Sequence, residues 1–345
     1  MLGSFRLLLA LLVALSHAGV RIDGLNPGVS AVVGFYLVSG YVMTGLLRRH
    51  YPTPALAPRF YLDRALRLYP QYLAIAALTL LWFAVTDARN DFLHHAPDAL
   101  DLLNNLLIAP LNYLYASRDA FTLIPPAWSL GAEVQFYLLF PLILSARAGR
   151  PLLLALSLLI YLAAAWGLLP TEPYGYRLLP GVLFIFLLGS WLYDLHAADR
   201  HIAAAALTVA TLLGSALLAL LLQQNGPLHA PYNRETLLGL SLALPALTLL
   251  GPLKRQIWDE VLGDLSYGVF LVHFLILWAV IDPHANAQQI ALYLTLSCIA
   301  AYASQRLVEK PALALRHRLR PPSQTLSALL LKRNSSVQTP TKIFK

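Results

Sequence analysis

Long apolar runs separated by short polar segments dominate the chain. Residues 152–169 and 202–222 carry no charged side chain, and each run approaches or exceeds the roughly 18 apolar residues that indicate a membrane-spanning helix. Windows of about 19 residues predict ten helices, near residues 5–20, 29–47, 71–87, 127–146, 151–169, 178–195, 202–222, 236–251, 266–281 and 289–307. The pattern therefore predicts an all-α fold class, a polytopic transmembrane helix bundle of about ten spanning helices.

The composition agrees with lipid as the main solvent of the chain. Hydrophobic residues make up 58% and charged residues 12% of the 345 positions, and the mean hydropathy is +0.62. Soluble globular proteins carry about 25% charged residues, so this class is excluded. The single cysteine, Cys298, lies inside the last predicted helix, which leaves no disulfide framework and no cysteine metal site.

The basic residues predict how the bundle is oriented. With the N-terminus inside, 20 of the 25 Lys and Arg residues fall on the cytoplasmic side and five on the outer side, the bias typical of membrane proteins. Both termini are then cytoplasmic, and the net charge of +8 reflects topology and needs no nucleic-acid partner. Residues 312–345 are predicted to form a basic, disordered cytoplasmic tail that attracts anionic headgroups.

The N-terminus permits a second interpretation. Arg6, the apolar run that follows it and the small residues up to Ala18 also fit a secretory signal that is cleaved after Ala18. Cleavage there would remove the first predicted helix, and the later helices would keep the same orientation.

Ionisable residues inside spanning helices are costly, and they are candidates for function by default. His17 lies near the outer end of the first helix, Glu133 about two turns into the fourth, and His273 near the middle of the ninth. His17 and Glu133 are predicted to meet at similar depth, where the carboxylate would orient the imidazole as a general base. The alternative is that each group only satisfies a hydrogen bond between helices.

A cluster of arginines is predicted at the cytoplasmic end. Arg6 begins the first helix, and Arg64 and Arg67 are spaced so that they share one helix face. Such a cluster can bind phosphates in a bidentate manner, although all three also fit ordinary positive-inside residues. From Arg6 to His17 a helix rises roughly 16 Å, about half the apolar thickness of a bilayer, which a long, thin donor molecule could span.

Five ordered segments resemble acyltransferase family 3, the membrane-bound O-acyltransferases that modify cell-surface carbohydrates. The segments are Arg6 with His17, Gly34 to Tyr41, Phe60 to Pro70, Trp128 to Glu133 with Phe136 and Tyr137, and Leu265 to Gly268 leading to His273. The resemblance makes residues 1–311 the transmembrane acyltransferase domain, and it implies functional roles for Arg6, His17, Arg64 and Arg67. Tyr36 stands where the family usually has an apolar residue.

The resemblance implies transfer of an acyl group, acetyl by family frequency, from cytoplasmic acyl-CoA to a carbohydrate hydroxyl at the outer face. Acyl-CoA is then a donor substrate, and no tightly bound cofactor is expected. The expected partners are the carbohydrate, membrane lipid and polysaccharide-assembly proteins, and the expected location is the bacterial inner membrane. His17 would be the base or the acyl acceptor. A transporter or flippase for a glycan or a lipid-linked precursor is the alternative.

Further residues are candidates for acceptor binding. Trp128, His273 and Tyr36 are assigned to the substrate, although Trp128 also fits the interfacial aromatic belt. The long outer segment 87–126 is expected to contact the acceptor. It contains His94, His95 and Asp98, but adjacent histidines in one regular element have poor geometry for joint ligation, so no metal site is predicted.

Overall fold

A computed structural model describes residues 1–114, 120–146, 149–254, 256–280 and 286–319 of the chain. Within these ranges the structure is helical, without a β-strand apart from one isolated bridge between Ile22 and Leu25. The described α-helices are α1 (Leu2–His17), α2 (Pro27–His50), α3 (Ala57–Thr86), α4 (Ala99–Leu107), α5 (Leu111–Leu114), α6 (Ala127–Ser145), α7 (Gly149–Ala165), α8 (Leu179–Ala197), α9 (His201–Asn225), α10 (Asn233–Leu250), α11 (Ile257–Val280), α12 (Ala287–Ser304) and α13 (Lys310–Leu319). π-Helical turns occupy Pro173–Arg177 and Gln305–Glu309, and 3-10 turns occupy Pro54–Leu56 and Pro227–His229.

The all-helical prediction is confirmed, and the chain is a membrane protein. Among the described residues, six helical segments are long and apolar enough to cross a bilayer: Pro27–His50, Pro54–Thr86, Ala127–Ser145, Pro173–Ala197, His201–Asn225 and Ile257–Val280. The apolar helices α1 and α7 are shorter, with 16 and 17 residues. Every one of the ten predicted segments coincides with a helix, while ten spans and cytoplasmic termini stay predictions.

Helix α3 begins 14 residues before the predicted start at residue 71. Its first turns are rich in charged side chains, which a hydropathy window excludes although they are compatible with helix. Pro70 lies inside the helix and removes only one backbone donor. The consequence is that Arg64 and Arg67 stand on a regular helix, one turn apart.

Helices α2 and α8 form the tightly packed centre of the bundle, with α1 and α10 also in contact with α2. A Cβ atom on Gly40 would lie 1.8 Å from the carbonyl oxygen of Phe186, and one on Gly189 would lie 2.0 Å from that of Leu37. Two helix backbones can approach this closely only where glycine, which has no Cβ atom, stands at the contact. The two glycines therefore set the distance between α2 and α8.

The start of α1 is fixed to the start of α11. The Asp259 carboxylate accepts hydrogen bonds from the backbone N–H groups of Gly3 (2.9 Å) and Ser4 (2.8 Å) and from the Ser4 hydroxyl (2.8 Å). It thus satisfies amides that a helix N-terminus leaves without an internal partner. Near the other end of α1, the Tyr293 hydroxyl of α12 donates to the carbonyl of Ala14. Both ends of α1 are consequently positioned by the last long helices.

The C-terminal part of the described chain turns back onto α3. The π-helical turn Gln305–Glu309 leads into α13, whose Arg316 donates to the Asp63 carboxylate at 3.1 Å. Residues 312–319 of the predicted tail thus belong to α13, and residues 320–345 lie outside the described residues.

Helix α9 lies at the periphery. Only 17% of its apolar window is buried, and large apolar side chains such as Val209, Leu213 and Leu217 are exposed. An apolar helix with so little buried surface is suited to contact with lipid.

Candidate active site

The C-terminal end of α1, predicted to face outward, carries one of a pair of stacked histidines. The His17 Nδ1 atom lies 3.1 Å from Nε2 of His273 on α11, and the two rings are 5.2 Å apart with an angle of 13° between their planes. His17 is exposed, whereas His273 has no exposed surface. On its far side, Nδ1 of His273 lies 3.0 Å from the carbonyl oxygen of Val269.

For two neutral imidazoles, these contacts allow one arrangement of the ring protons. The Val269 carbonyl can only accept, so Nδ1 of His273 carries the proton and its Nε2 is the acceptor. His17 must then donate through its own Nδ1, which leaves Nε2 of His17 unprotonated. A nitrogen in that state can take a proton from a substrate or attack an electrophile.

His17 faces a cavity of about 160 Å³ between α1, α2, α6 and the segment before α8. The cavity is lined by residues of these outer helix ends: Val13, Ser16, His17, Asn26, Gly28, Val29, Val32, Pro126, Trp128, Ser129, Tyr176, Arg177 and Tyr232. The predicted substrate residue Trp128 is thus beside His17. His273 does not line the cavity, because it lies behind the His17 ring and is fully buried.

Arg177 is a cavity residue that the sequence analysis did not single out. Its guanidinium lies 4.3 Å from the centre of the Trp128 ring and forms a salt bridge with Glu172 at 2.6 Å. Its sequence signal was weak, since it was one of five basic residues assigned to the outer side. The stacked Arg177 holds the indole of Trp128 in one orientation.

Glu133 does not contact His17, so the predicted pairing of these two residues is wrong. Its Oε1 atom accepts hydrogen bonds from the hydroxyl groups of Ser39 (2.6 Å) and Tyr137 (2.5 Å). His17 and Ser129, in the first turn of α6, line the same cavity, and Glu133 follows one turn later, about 6 Å further along the helix. The depth of a residue in the membrane, when it is estimated from the sequence, is not accurate to one helical turn.

Tyr36 lies between the outer cavity and Glu133. The ring packs against Phe186 at 4.7 Å, and the buried hydroxyl has no hydrogen-bond partner among the described residues. Along α2, Tyr36 stands between Val32, which lines the cavity, and Ser39, which donates to Glu133. The predicted substrate residue is therefore buried beneath the cavity.

At the opposite end of the bundle, which is predicted to be cytoplasmic, two of the three predicted arginines have carboxylate partners. Arg64 donates to Asp63, and its guanidinium lies 6.0 Å from the ring centre of Tyr137. Arg67 forms a salt bridge with Glu309 at the end of the second π-helical turn. Neither carboxylate was predicted. Asp63 directly precedes Arg64 in the chain, whereas Glu309 is 242 positions away from Arg67.

Arg6 is held differently. It forms no hydrogen bond or salt bridge with the residues that the structure describes, but its charge interacts with those of Arg67, Glu133 and Asp264. Glu133 is linked to the arginines through Tyr137, whose hydroxyl donates to Glu133 and whose ring lies 6.0 Å from the Arg64 guanidinium. The candidate site consists of a histidine pair at one end, a carboxylate in the middle and three arginines at the other end.

The outer segment brings His95 to Asp101, with 2.8 Å between the ring Nε2 and the carboxylate. Both ring nitrogens of His94 are buried and have no hydrogen-bond partner among the residues that the structure describes. No group of three or more metal-ligating side chains occurs in the described ranges, and the gap at 115–119 interrupts this segment.

Comparison with known proteins gives a family and several relatives. Residues 2–304 match the family described as "Acyltransferase domain". An uncharacterized protein of Aquifex aeolicus is 34% identical over 57% of this chain and 90% of its own length. A protein of Haemophilus influenzae is 31% identical over 32% of this chain and 46% of its own length.

A Staphylococcus aureus protein named "Putative O-acetyltransferase" is 28% identical over 38% of this chain. The match covers 23% of that protein, so it concerns a part of a much longer chain. No solved structure matches this chain.

Proposed function

Because this chain belongs to acyltransferase family 3, we propose that it moves an acyl group from cytoplasmic acyl-CoA to a hydroxyl of a cell-surface or exported carbohydrate. Acyltransferase activity and a membrane location follow from the family and the apolar helices. The name of the staphylococcal relatives supports acetyl as the group transferred. The proposed location is the inner membrane of a bacterium.

The hydrogen-bonded chain from Val269 through His273 to His17 is the observation that carries the proposal. It leaves Nε2 of His17 unprotonated next to a cavity that is lined by aromatic side chains. In the general-base version, this nitrogen takes the proton of the acceptor hydroxyl while the hydroxyl oxygen attacks the thioester carbonyl. The C–S bond breaks, and the CoA sulfur receives the proton from the imidazolium.

In the acyl-enzyme version, Nε2 of His17 attacks the thioester carbonyl and the C–S bond breaks. The CoA sulfur takes the proton that the acylated ring gives up, so CoA leaves as its thiol. The acyl group on His17 is then transferred to the carbohydrate oxygen, whose proton returns to the imidazole. Both versions need the same free nitrogen. Acyl-CoA is consumed in either case, so it acts as a substrate and not as a resident cofactor.

We assign the donor to the inner end of the bundle. Arg6, Arg64 and Arg67 would bind the nucleotide and pyrophosphate, and Asp63 and Glu309 hold two of these guanidinium groups in place until the phosphates arrive. Glu133, in electrostatic range of Arg6, would balance positive charge along the path of the pantetheine arm.

We assign the acceptor to the outer cavity. Trp128, Tyr176 and Tyr232 offer ring faces on which a sugar could stack, and Asn26 and Ser129 offer hydrogen-bonding groups. Polysaccharide-assembly proteins would then deliver or take up the carbohydrate at this face.

The test compares His17→Ala with His201→Ala in membranes that are supplied with radiolabelled acetyl-CoA. His201 is an exposed histidine at the start of α9, so its loss controls for the removal of an imidazole as such. We expect transfer of label to surface glycan to fall by roughly 10² to 10⁴-fold in His17→Ala and to persist in His201→Ala. Unchanged transfer by His17→Ala at equal protein level would refute both versions. A transporter would release no CoA thiol.

A further inference from the structure

A second cavity lies where the end of α2, the start of α7 and the end of α8 meet, which is the cytoplasmic side in the predicted orientation. Its volume is about 270 Å³, and its lining residues are Arg48, Leu144, Arg150, Pro151 and Trp191. None of these residues takes part in the proposed acyl transfer. The cavity is therefore separate from the candidate active site.

The charges around this cavity are not balanced. Arg48 donates to both oxygens of Asp194, at 2.5 and 2.7 Å, and Arg150 donates to the same carboxylate through Nη1 at 2.8 Å. Two guanidinium groups share one carboxylate, so one positive charge remains. Such a surplus attracts an anion.

Arg150 carries hydrogen-bond donors that the protein does not use. The residue is only 7% exposed, and its Nε and Nη2 atoms are buried without a hydrogen-bond partner in the described part of the chain. Unpaired donors on a buried charged group are costly. An acceptor that enters the cavity beside the guanidinium would remove this cost.

We propose that this cavity binds a phosphate group, and that the occupant is the headgroup of an anionic phospholipid in the cytoplasmic leaflet. Phosphate oxygens match the planar donors of arginine, and basic pockets between spanning helices on the cytoplasmic side bind anionic headgroups.

The surroundings favour lipid over a soluble phosphate. Trp191 lies at the cavity, 6.0 Å from the Arg150 guanidinium, and tryptophan is typical of the headgroup level of membranes. Leu142 on α6 and Leu152 on α7 are 58% and 60% exposed next to the lining residues. They provide an apolar surface for the acyl chains of the same lipid.

The experiment measures binding of phosphatidylglycerol to the purified full-length chain by native mass spectrometry, with inorganic phosphate as a second probe. Arg150→Gln should weaken phosphatidylglycerol binding by roughly tenfold or more, since it removes charged donors to the phosphate. The matched control is Arg200→Gln, an exposed arginine at the same end of the bundle, which should bind as the native protein does. Asp194→Asn removes the competing carboxylate and should bind at least as tightly.

Phosphatidylglycerol binding that depends on Arg150 supports the lipid as occupant. Binding of inorganic phosphate alone, with the same dependence, supports the phosphate site and assigns it to a soluble ligand. Equal binding of both probes by native and Arg150→Gln proteins overturns the proposal. Should Arg150→Gln not fold, Arg48→Gln carries the same test, because the Arg48 side chain is 47% exposed.

Discussion

The buried His273 determines which ring nitrogen of His17 carries no proton. It donates to Val269 with one nitrogen and accepts from His17 with the other. In a chain of this kind the inner group fixes the tautomer and the orientation of the outer one. In the proposed reaction, His273 is therefore a positioning residue and not the substrate contact that the sequence suggested.

Replacing His273 should separate this role from simple packing. Phenylalanine fills the space of the ring but cannot accept from His17, so we expect acyl transfer to fall by about 10² to 10⁴-fold. Glutamine offers a carbonyl oxygen to the same donor, so His273→Gln should retain much more activity. The measurement is the rate of acyl transfer at matched protein level and thermal stability, and equal rates in the two variants would contradict the positioning role.

Single residues were only partly predictable. The sequence identified both histidines, because ionisable groups stand out in apolar helices, but it paired His17 with Glu133. Two side chains on different helices meet only if they lie on facing sides and at the same depth to within one turn. The sequence around each residue specifies neither property. The partners Asp63 and Glu309 were missed because charged residues at helix ends resemble ordinary interfacial residues.

Between elements, the contact of α2 with α8 depends on two glycines. Gly40→Ala would force its Cβ atom against the backbone at Phe186, and backbone cannot move aside as a flexible side chain can. We expect a loss of roughly 1 to 3 kcal/mol in the free energy of unfolding, the usual cost of overpacking.

Thermal unfolding in detergent measures this loss. The control is Gly214→Ala in α9, where an added Cβ meets nothing within 4 Å. It should leave the melting temperature unchanged or raise it slightly. A melting temperature for Gly40→Ala as high as that of the control would show that α2 and α8 can move apart freely.

The existence of the long helices was predictable, while several of their ends were not. Apolar runs predicted each long helix, since hydropathy reports directly what a span requires. The sequence did not predict the first turns of α3, because their charged residues lower the hydropathy of the window. It did not predict the π-helical turn before α13 either, because such a turn results from packing. These two places hold Arg64, Arg67 and Glu309, so the site depends on the less predictable parts.

At the scale of the whole molecule, the orientation in the membrane determines which end of the candidate site faces the cytoplasm and which faces outward. Helix α9 runs from His201 to Asn225, about 37 Å at 1.5 Å per residue, so its two ends should lie on opposite sides. In a Cys298→Ser background, Asn225→Cys should react with a membrane-impermeant maleimide in intact cells. His201→Cys should react only after the membrane is opened, and the reverse pattern would invert the predicted topology.

The anchoring of α1 has a consequence for biosynthesis. Ser4 bonds to Asp259, which is 255 residues further along the chain, and at 5–20 residues per second this separation amounts to about ten to fifty seconds of translation. During that time His17 lacks His273, and the start of α1 lacks the carboxylate that holds it. A chain that stops before α11 lacks His273, so we expect such a fragment to be inactive in the proposed acyl transfer and to leave acyl-CoA unused.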